Sequence, residues 1–474
     1  MTTFTTSMND NKQALKSMFN QADDLKWHEF DFGGRRCQLC FLATTVDKKT
    51  LHKNLLAPLL QAEDKADLLQ AIPITGIERK EVLTDAAASL VKGNAIILLE
   101  GDTCAYAVPV PFNEDKTPDE PQNEKSVTGG HIGFVESLET NIALIRKYIV
   151  NDKLAVRYSD FGQFKHTQGG LLYLEHAADS QTVSRIASLL ADIKDTDLNT
   201  VQQISRMFME KRYSPFPQIM ITERLDRVLY HLGKGKAVII LNGSPSAAIL
   251  PVSFFNFFES TEDFMNNIYI GNFFYHLRVL GFLISIMLPA LYISVVAFHS
   301  DILPASVLYN FKLGTEFVPF HPLVEAILMQ VILELLREAA IRLPTSIAST
   351  IGVVGGLVIG NAIVEVNFVS MPMIIVIAIT ALASFCIPIA EMSSISRLMG
   401  FTFMLAATLT GFLGVSLVFI IMLIHLCAIE VLGVPYFTLK DILHLPGLEQ
   451  YQKLKSTSKT RKLNTRKRKG GRFG

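Results

Sequence analysis

The densest set of groups able to do chemistry lies in residues 323–343, a stretch that is otherwise apolar. It carries Glu325, Gln330, Glu334, Arg337, Glu338 and Arg342. At about 100° per residue, Gln330, Glu334, Arg337, Glu338 and Arg342 fall within about 140° of one helix face. Leu328, Ile332, Leu335, Leu336 and Leu343 occupy the other. Glu334–Arg337 and Glu338–Arg342 are spaced for i,i+3 and i,i+4 pairing. Two readings follow. The helix lies at a membrane interface with its charges paired along it, or it lines a polar interior shared by several helices or chains. In the second reading Glu334 or Glu338 supplies negative potential that favours cations, and Arg337 holds the register by pairing with one carboxylate.

Other reactive residues offer less. Cys37-Gln-Leu-Cys40 is a CxxC, but it lies in an apolar strand. Strand side chains alternate faces, so positions i and i+3 point apart and cannot share a metal or a disulfide. His425 sits in a long apolar run and reads as a packed residue. No GxxxxGK[ST], GxSxG or HExxH occurs, and Gly233-Lys-Gly235 lacks the third glycine of a dinucleotide fingerprint. The expectation is a protein that is not an enzyme, with no catalytic residues, no cofactor and no metal.

The elements that must position the 323–343 helix differ along the chain. The 474 residues carry 44 basic and 44 acidic side chains, and only 19% are charged. That balance excludes a nucleic-acid binder relying on bulk positive charge and a disordered chain. Five cysteines make no disulfide framework. Residues 1–272 hold 28 basic and 34 acidic residues, whereas residues 273–474 hold 16 and 10. Ten of the latter basic residues follow Gln450. A charged α/β half is thus followed by an α-helical polytopic membrane domain at 273–436 and a basic tail at 451–474. Residues 273–298, 347–364, 371–389 and 401–429 are the four candidate spans, with 323–343 as an additional amphipathic helix. Gly352, Gly356 and Gly360 make a smooth stripe suited to close helix packing and oligomerisation. Met1–Asp24 lacks the apolar core of a signal peptide. With the basic tail, this predicts that both ends are cytoplasmic and that the number of crossings is even.

The first half contains a repeat. Gly93-Asn-Ala-Ile-Ile-Leu-Leu-Glu-Gly101 matches Gly235-Lys-Ala-Val-Ile-Ile-Leu-Asn-Gly243 at an offset of 142, continuing into Val108-Pro109-Val110 and Leu250-Pro251-Val252. Each reads as a β-hairpin turning at Gly101 or Gly243. Upstream, Cys37–Leu60 echoes Gly169–Leu190, with Asp47 and Asp179 at helix N-cap positions. The expected organisation is a polar segment at 1–31, one α/β subdomain at 32–112, a linker at 113–130, a connecting helix at 131–164, and a related subdomain at 165–255.

The motifs converge on one family. Ser214-Pro-Phe-Pro-Gln218, Thr222-Glu-Arg224 with Asp226, and Asn242-Gly-Ser-Pro245 resemble signatures of the A subunit of GerA-type spore germination receptors. Leu225 and Asn242 depart from those signatures. Leu288-Pro-Ala-Leu-Tyr292, Val318-Pro319, Leu336-Arg-Glu-Ala339, Arg342-Leu-Pro344 and Val434-Pro-Tyr436 resemble its membrane half, as does Leu357-Val-Ile-Gly360. Phe134-Val-Glu136 and Ala143-Leu-Ile-Arg146 resemble a further block, preceded by Thr128-Gly-Gly-His-Ile-Gly133 where the family has a more charged loop. The resemblance implies a multi-pass protein of the spore inner membrane, with its N-terminal domain and tail facing the core. It implies a transporter-like B subunit and a lipoprotein C subunit as partners, assembly into a homo-oligomer, and signalling through an ion channel. Alternatives are a germination-amplifying paralogue of the same family and a stand-alone membrane transporter.

Overall fold

The computed structural model describes residues 3–61, 68–112, 120, 121, 124, 130–149, 153–209, 213–265, 267–306, 318–344, 347, 356, 360–363 and 365–438. These residues form two compact units. The first holds residues 1–212, 218–252 and 431–434; the second holds 213–217, 253–430 and the residues after 434.

The first unit contains two five-stranded antiparallel sheets of the same order. In one, β1 (Leu25–Phe32), β2 (Arg35–Leu42), β3 (Glu78–Lys80), β4 (Asn94–Leu99) and β5 (Ala105–Pro109) lie in the order β1-β2-β4-β5-β3. In the other, β6 (Leu154–Phe161), β7 (Thr167–Leu174), β8 (Met220–Thr222), β9 (Ala237–Leu241) and β10 (Ala247–Leu250) lie in the order β6-β7-β9-β10-β8. Helices α1 (Met8–Met18) and α2 (Leu83–Val91) accompany the first sheet. Helices α3 (Leu138–Tyr148), α4 (Ser180–Asp192), α5 (Val201–Phe208) and α6 (Leu225–Gly233) accompany the second.

The correspondence extends to single hydrogen bonds. Ser7 caps α1 and Ser137 caps α3, each through its side chain. Four residues further on, Asn11 Oδ1 accepts from Thr5 N (2.9 Å), and Asn141 Oδ1 accepts from Val135 N (2.9 Å). Asp47 and Asp179 both cap helices and both bond the threonine three residues ahead. Those hydroxyls, joined by backbone amides, hold both carboxyls below the usual aspartate range. Gly93 and Gly235 have φ of +86° and +83°; a Cβ there would meet the Thr45 or the Ala177 carbonyl oxygen. Both positions require glycine, for conformation and for space.

Two expected boundaries are corrected. The segment 1–31 is not a polar preamble: it supplies α1 and most of β1. The segment 131–164 is not a connector: it supplies α3 and β6, the equivalent elements of the second sheet. Both were hidden by composition. β1 and β6 are edge strands, and Leu25-Lys-Trp-His-Glu-Phe-Asp-Phe32 is heavily charged for a strand. The 113–130 linker lies almost wholly outside the described residues, as does the basic tail at 451–474.

Cys37 and Cys40 enter different cores on opposite faces of the first sheet: Cys40 packs with Leu42, Ile96 and Leu98, and Cys37 with Leu39, Ile97 and Leu99. Burial pushes the Cys37 thiol up to about 11, so it is inert as a nucleophile at neutral pH.

One ion pair ties the two sheets together. Arg146, in the last turn of α3, is fully buried and grips Asp24, at the start of β1, with two bonds of 2.7 and 2.8 Å. Thr44 Oγ1 donates to the same carboxylate (2.9 Å). Asp23 joins in: its backbone N–H donates to Val156 O, and its carboxylate accepts from Tyr158 N (2.7 Å).

In the second unit, α7 (Ile268–Phe298), α8 (Pro322–Arg342), α9 (Met371–Phe385), α10 (Ala390–Thr410) and α11 (Phe412–Cys427) form a bundle. α7 and α10 are each long and apolar enough to cross a bilayer; α9 and α11 are apolar but shorter. The 401–429 stretch, expected as one long span, is two helices. Gly411, at φ +64° and ψ −138°, ends α10. A Cβ on Gly414 would lie 2.2 Å from Ala406 O, whereas eight residues of continuous helix separate by about 12 Å. The chain therefore reverses there. A hydropathy reading misses this because no charged residue marks the turn.

Removing one partner of a buried pair leaves an unpaired charge and costs about 3–5 kcal/mol. Arg146→Met and Asp24→Asn should each lower the urea midpoint of unfolding of the full chain, and the double variant should lose less than the sum. Burial, with Lys236, Lys234 and Arg227 nearby, holds the His231 imidazole well below its usual range. Its contribution is therefore complete above about pH 6.5 and declines as the pH falls. His231→Gln should flatten the acid limb of a stability-against-pH curve.

Candidate functional site

α8 lies within the bundle, and its partners fix its direction. Gln330 approaches Gly400, and Glu334 Oε2 lies 3.1 Å from Arg397 Nε, so α8 and α10 run antiparallel. Ser285 Oγ donates to Ser396 Oγ (2.9 Å), and His299 stacks near Phe412 at 4.9 Å, so α7 and α10 run parallel. A small cavity of about 80 Å³ is lined by Gln330, Leu333, Glu334 and Arg337 of α8, by Ile377, Thr380, Ala381, Ser384 and Phe385 of α9, and by Arg397 of α10.

The close approach of α7 and α10 follows from local sequence. Pro289 inside α7 has no N–H to give to the carbonyl four residues back, Ser285 O. Gly400 presents no side chain at that carbonyl, so α10 packs against it. Ser393 Oγ donates to Ser384 O of α9, and Ser396 Oγ donates to Ser393 O within α10.

The six polar residues of the 323–343 segment separate into three groups. Glu325 is buried at 2% exposure and accepts from Ser370 N (2.8 Å), the N-cap residue of α9. Its charge thus faces the positive end of that helix. Gln330, Glu334 and Arg337 line the cavity, with Arg337 Nη2 donating to Glu334 Oε1 at 2.6 Å. Glu338 and Arg342 pair with each other (2.6 Å) on the exposed surface. The structure does not bring the last pair into the cavity with the others. Gly352 lies outside the described residues. At Gly356 and Gly360 a Cβ would meet open space, so these two positions carry no helix contact among the described residues.

Sequence reasoning missed Arg397. Its guanidinium donates to Ser393 Oγ (2.8 Å) and Ser394 Oγ (2.9 Å) and lies against Glu334. The signal was available: Arg397 is one of only six Lys or Arg between residues 273 and 450. Choosing the longest uninterrupted apolar run placed the span start at Phe401, beyond it.

The signature motifs are structural. Arg224 makes two bonds to Asp226 (2.6 and 3.0 Å) at the start of α6, and Glu124 receives Arg227 Nη1 (3.2 Å) and Thr222 Oγ1. Ser214 Oγ is hydrogen-bonded to His425 Nε2 (2.8 Å), and Phe216 packs on the same ring. His425 is thus a packed and bonded residue at the end of α11. Leu138 N donates to Asn242 Oδ1 (3.2 Å), which anchors the Asn242-Gly-Ser-Pro245 turn to α3.

Glu334→Gln removes the carboxylate shared by two guanidiniums, and the amount of protein in membranes should fall severalfold, read by quantitative immunoblot. Glu338→Ala breaks an exposed pair worth about 0–1 kcal/mol and should leave that amount unchanged.

The chain is 34% identical to "Spore germination protein KA" of Bacillus subtilis (strain 168) over 405 residues, 84% of this chain and 74% of that protein. It is 29% identical to "Uncharacterized membrane protein YfkQ" of the same strain over 439 residues, covering 91% and 86% respectively. Among solved structures, the N-terminal domain of the A subunit of the Bacillus megaterium spore germinant receptor GerK3 is 22% identical, with a TM-score of 0.42, over 53% of this chain and 98% of that one. The model of the family described as Bacillus/Clostridium GerA spore germination protein matches residues 13–466. The chain therefore belongs to the GerA family of spore germination proteins.

Proposed function

We propose that this chain is the membrane subunit of a spore germinant receptor complex, and that it transduces the nutrient signal into germination by forming or gating an oligomeric ion channel. Its partners are a transporter-like B subunit, a lipoprotein C subunit and further copies of itself, in the spore inner membrane. The observation that carries this reading is the charged cluster Glu334–Arg337–Arg397 inside a bundle whose outer surface is apolar. Leu280, Leu382, Leu405, Leu417 and Ile424 are all more than half exposed on that surface. Contiguous apolar exposure of this kind suits lipid or another copy, and charge retained inside such a bundle marks a functional group. The half-exposed α8, and Gly356 and Gly360, where a Cβ would meet open space, offer surfaces for a second copy.

An even number of crossings also fits. Phe254, just before α7, packs on Phe282 (5.5 Å) and on Phe437 (5.6 Å), just after α11. Its N–H donates to Tyr436 O (2.8 Å). The bundle is thus entered and left at one end. In this reading α8 is itself one of the traversing helices.

Two outcomes test the proposal. Spores lacking this chain should lose cation release in response to one class of nutrient and keep it for others; a uniform delay with every nutrient would instead place the chain in the amplifying branch. A cysteine introduced in the tail should react with an impermeant maleimide only after the membrane is opened, and reaction from outside intact membranes would exclude an even count.

A further inference from the structure

The cavity between α8, α9 and α10 is not charge-balanced. Its lining holds two guanidiniums, Arg337 and Arg397, and one carboxylate, Glu334. Glu334 is divided between them, with Oε1 on Arg337 at 2.6 Å and Oε2 near Arg397 at 3.1 Å. Residues 345–364 contain no charged side chain at all, so that stretch supplies no second carboxylate. Glu325 is engaged with Ser370 N, and Glu338 with Arg342. Two polar atoms of the lining, Arg337 Nε and Gln330 Oε1, are buried and make no hydrogen bond among the described residues, and Arg397 Nε, also buried, has only the shared Glu334 oxygen at 3.1 Å. Arg397 as a whole is 9% exposed and Gln330 6%.

We propose that this cavity binds a small monovalent anion, of carboxylate or halide type. An unmatched guanidinium inside an apolar bundle is costly, and an anion supplied from solution removes that cost. The Arg337 Nε–H is an unused donor, the Arg397 Nε–H has only the shared Glu334 oxygen, and guanidinium groups recognise a planar carboxylate with particular strength. Gln330 fits as well, because its amide can be turned to present its NH₂ group. Thr380 completes the wall. The volume, about 80 Å³, accommodates chloride, formate or acetate and excludes a six-carbon sugar acid. The excess of one guanidinium over the carboxylates of the lining favours an anion at this one point of the bundle. The site belongs to the single chain and stands whether or not the assembled complex conducts.

The test uses the purified full-length protein in detergent micelles. Its melting temperature is followed as sodium gluconate is replaced by sodium acetate, and separately by sodium chloride, at constant ionic strength. Ligand binding to the folded state should raise the midpoint saturably, by about 2–4 °C well above the dissociation constant. Arg397→Gln, which brings the lining to zero net charge, should abolish the rise. If that variant does not accumulate, Thr380→Leu, which fills the cavity and keeps both arginines, should abolish it instead. A wild-type midpoint indifferent to acetate and to chloride would overturn the proposal. So would an undiminished rise in either variant.

Discussion

Glu334 is the group on which the bundle's interior is organised. One carboxylate, itself half-exposed at the cavity, spans two guanidiniums from different helices, of which Arg397 is the more deeply buried. Water could solvate a stray charge at a protein surface, but the outer faces of α7, α9, α10 and α11 are lined with leucine and isoleucine. The consequence is directional. α8 can sit only where Glu334 reaches Arg397 while Gln330 meets Gly400, which fixes both its polarity and its register against α10. Ion pairs of this kind contribute less to net stability than their short distances suggest, because desolvation offsets most of the attraction. What they set is which arrangement of helices is allowed.

The first unit solves a similar problem with the same residue types. Arg146 and Asp24 are wholly buried where the two sheets meet, and Thr44 and the Leu154 carbonyl each add a hydrogen bond to the pair. The duplicated architecture makes this necessary. Each copy has its own helix cap, asparagine clasp and glycine hinge, so each could be positioned independently of the other. The Arg146–Asp24 pair, with Asp23 bridging to Val156 and Tyr158, links α3 and β6 of one copy to the start of β1 of the other.

The parts of this fold legible in the sequence were those carried by glycine and by apolar runs. Gly93 and Gly235, Gly101 and Gly243, and the caps Asp47 and Asp179 stood out because a positive φ or an N-cap accepts few residue types. The α1/α3 and β1/β6 equivalence did not, because its key residues, Asn11 and Asn141, act through backbone bonds to Thr5 and Val135 that any polar residue might suggest. The reversal at Gly411 was invisible for the opposite reason: no charged residue lies near it, and hydropathy carries no information about direction. Within 323–343, periodicity correctly grouped Gln330, Glu334 and Arg337. It also included Glu338 and Arg342, which the structure leaves exposed, because a face of about 140° is wider than the strip one neighbouring helix can cover.

Charge balance is the step that periodicity cannot supply. A helical wheel shows one acidic and one basic residue at Glu334 and Arg337 and suggests a neutral pair. The third charge comes from Arg397, some sixty positions away, and it leaves the lining with one more guanidinium than carboxylate. Whether a buried polar site attracts cations or anions is decided by such a residue from another helix. The four serines that line the α7–α10 seam and its edge, at 285, 384, 393 and 396, cannot decide it, since a hydroxyl both donates and accepts. The charge of this cavity therefore rests on the packing of α10 against α8. A motion that separated those two helices would strand Arg397 and change the charge of the cavity and its shape together.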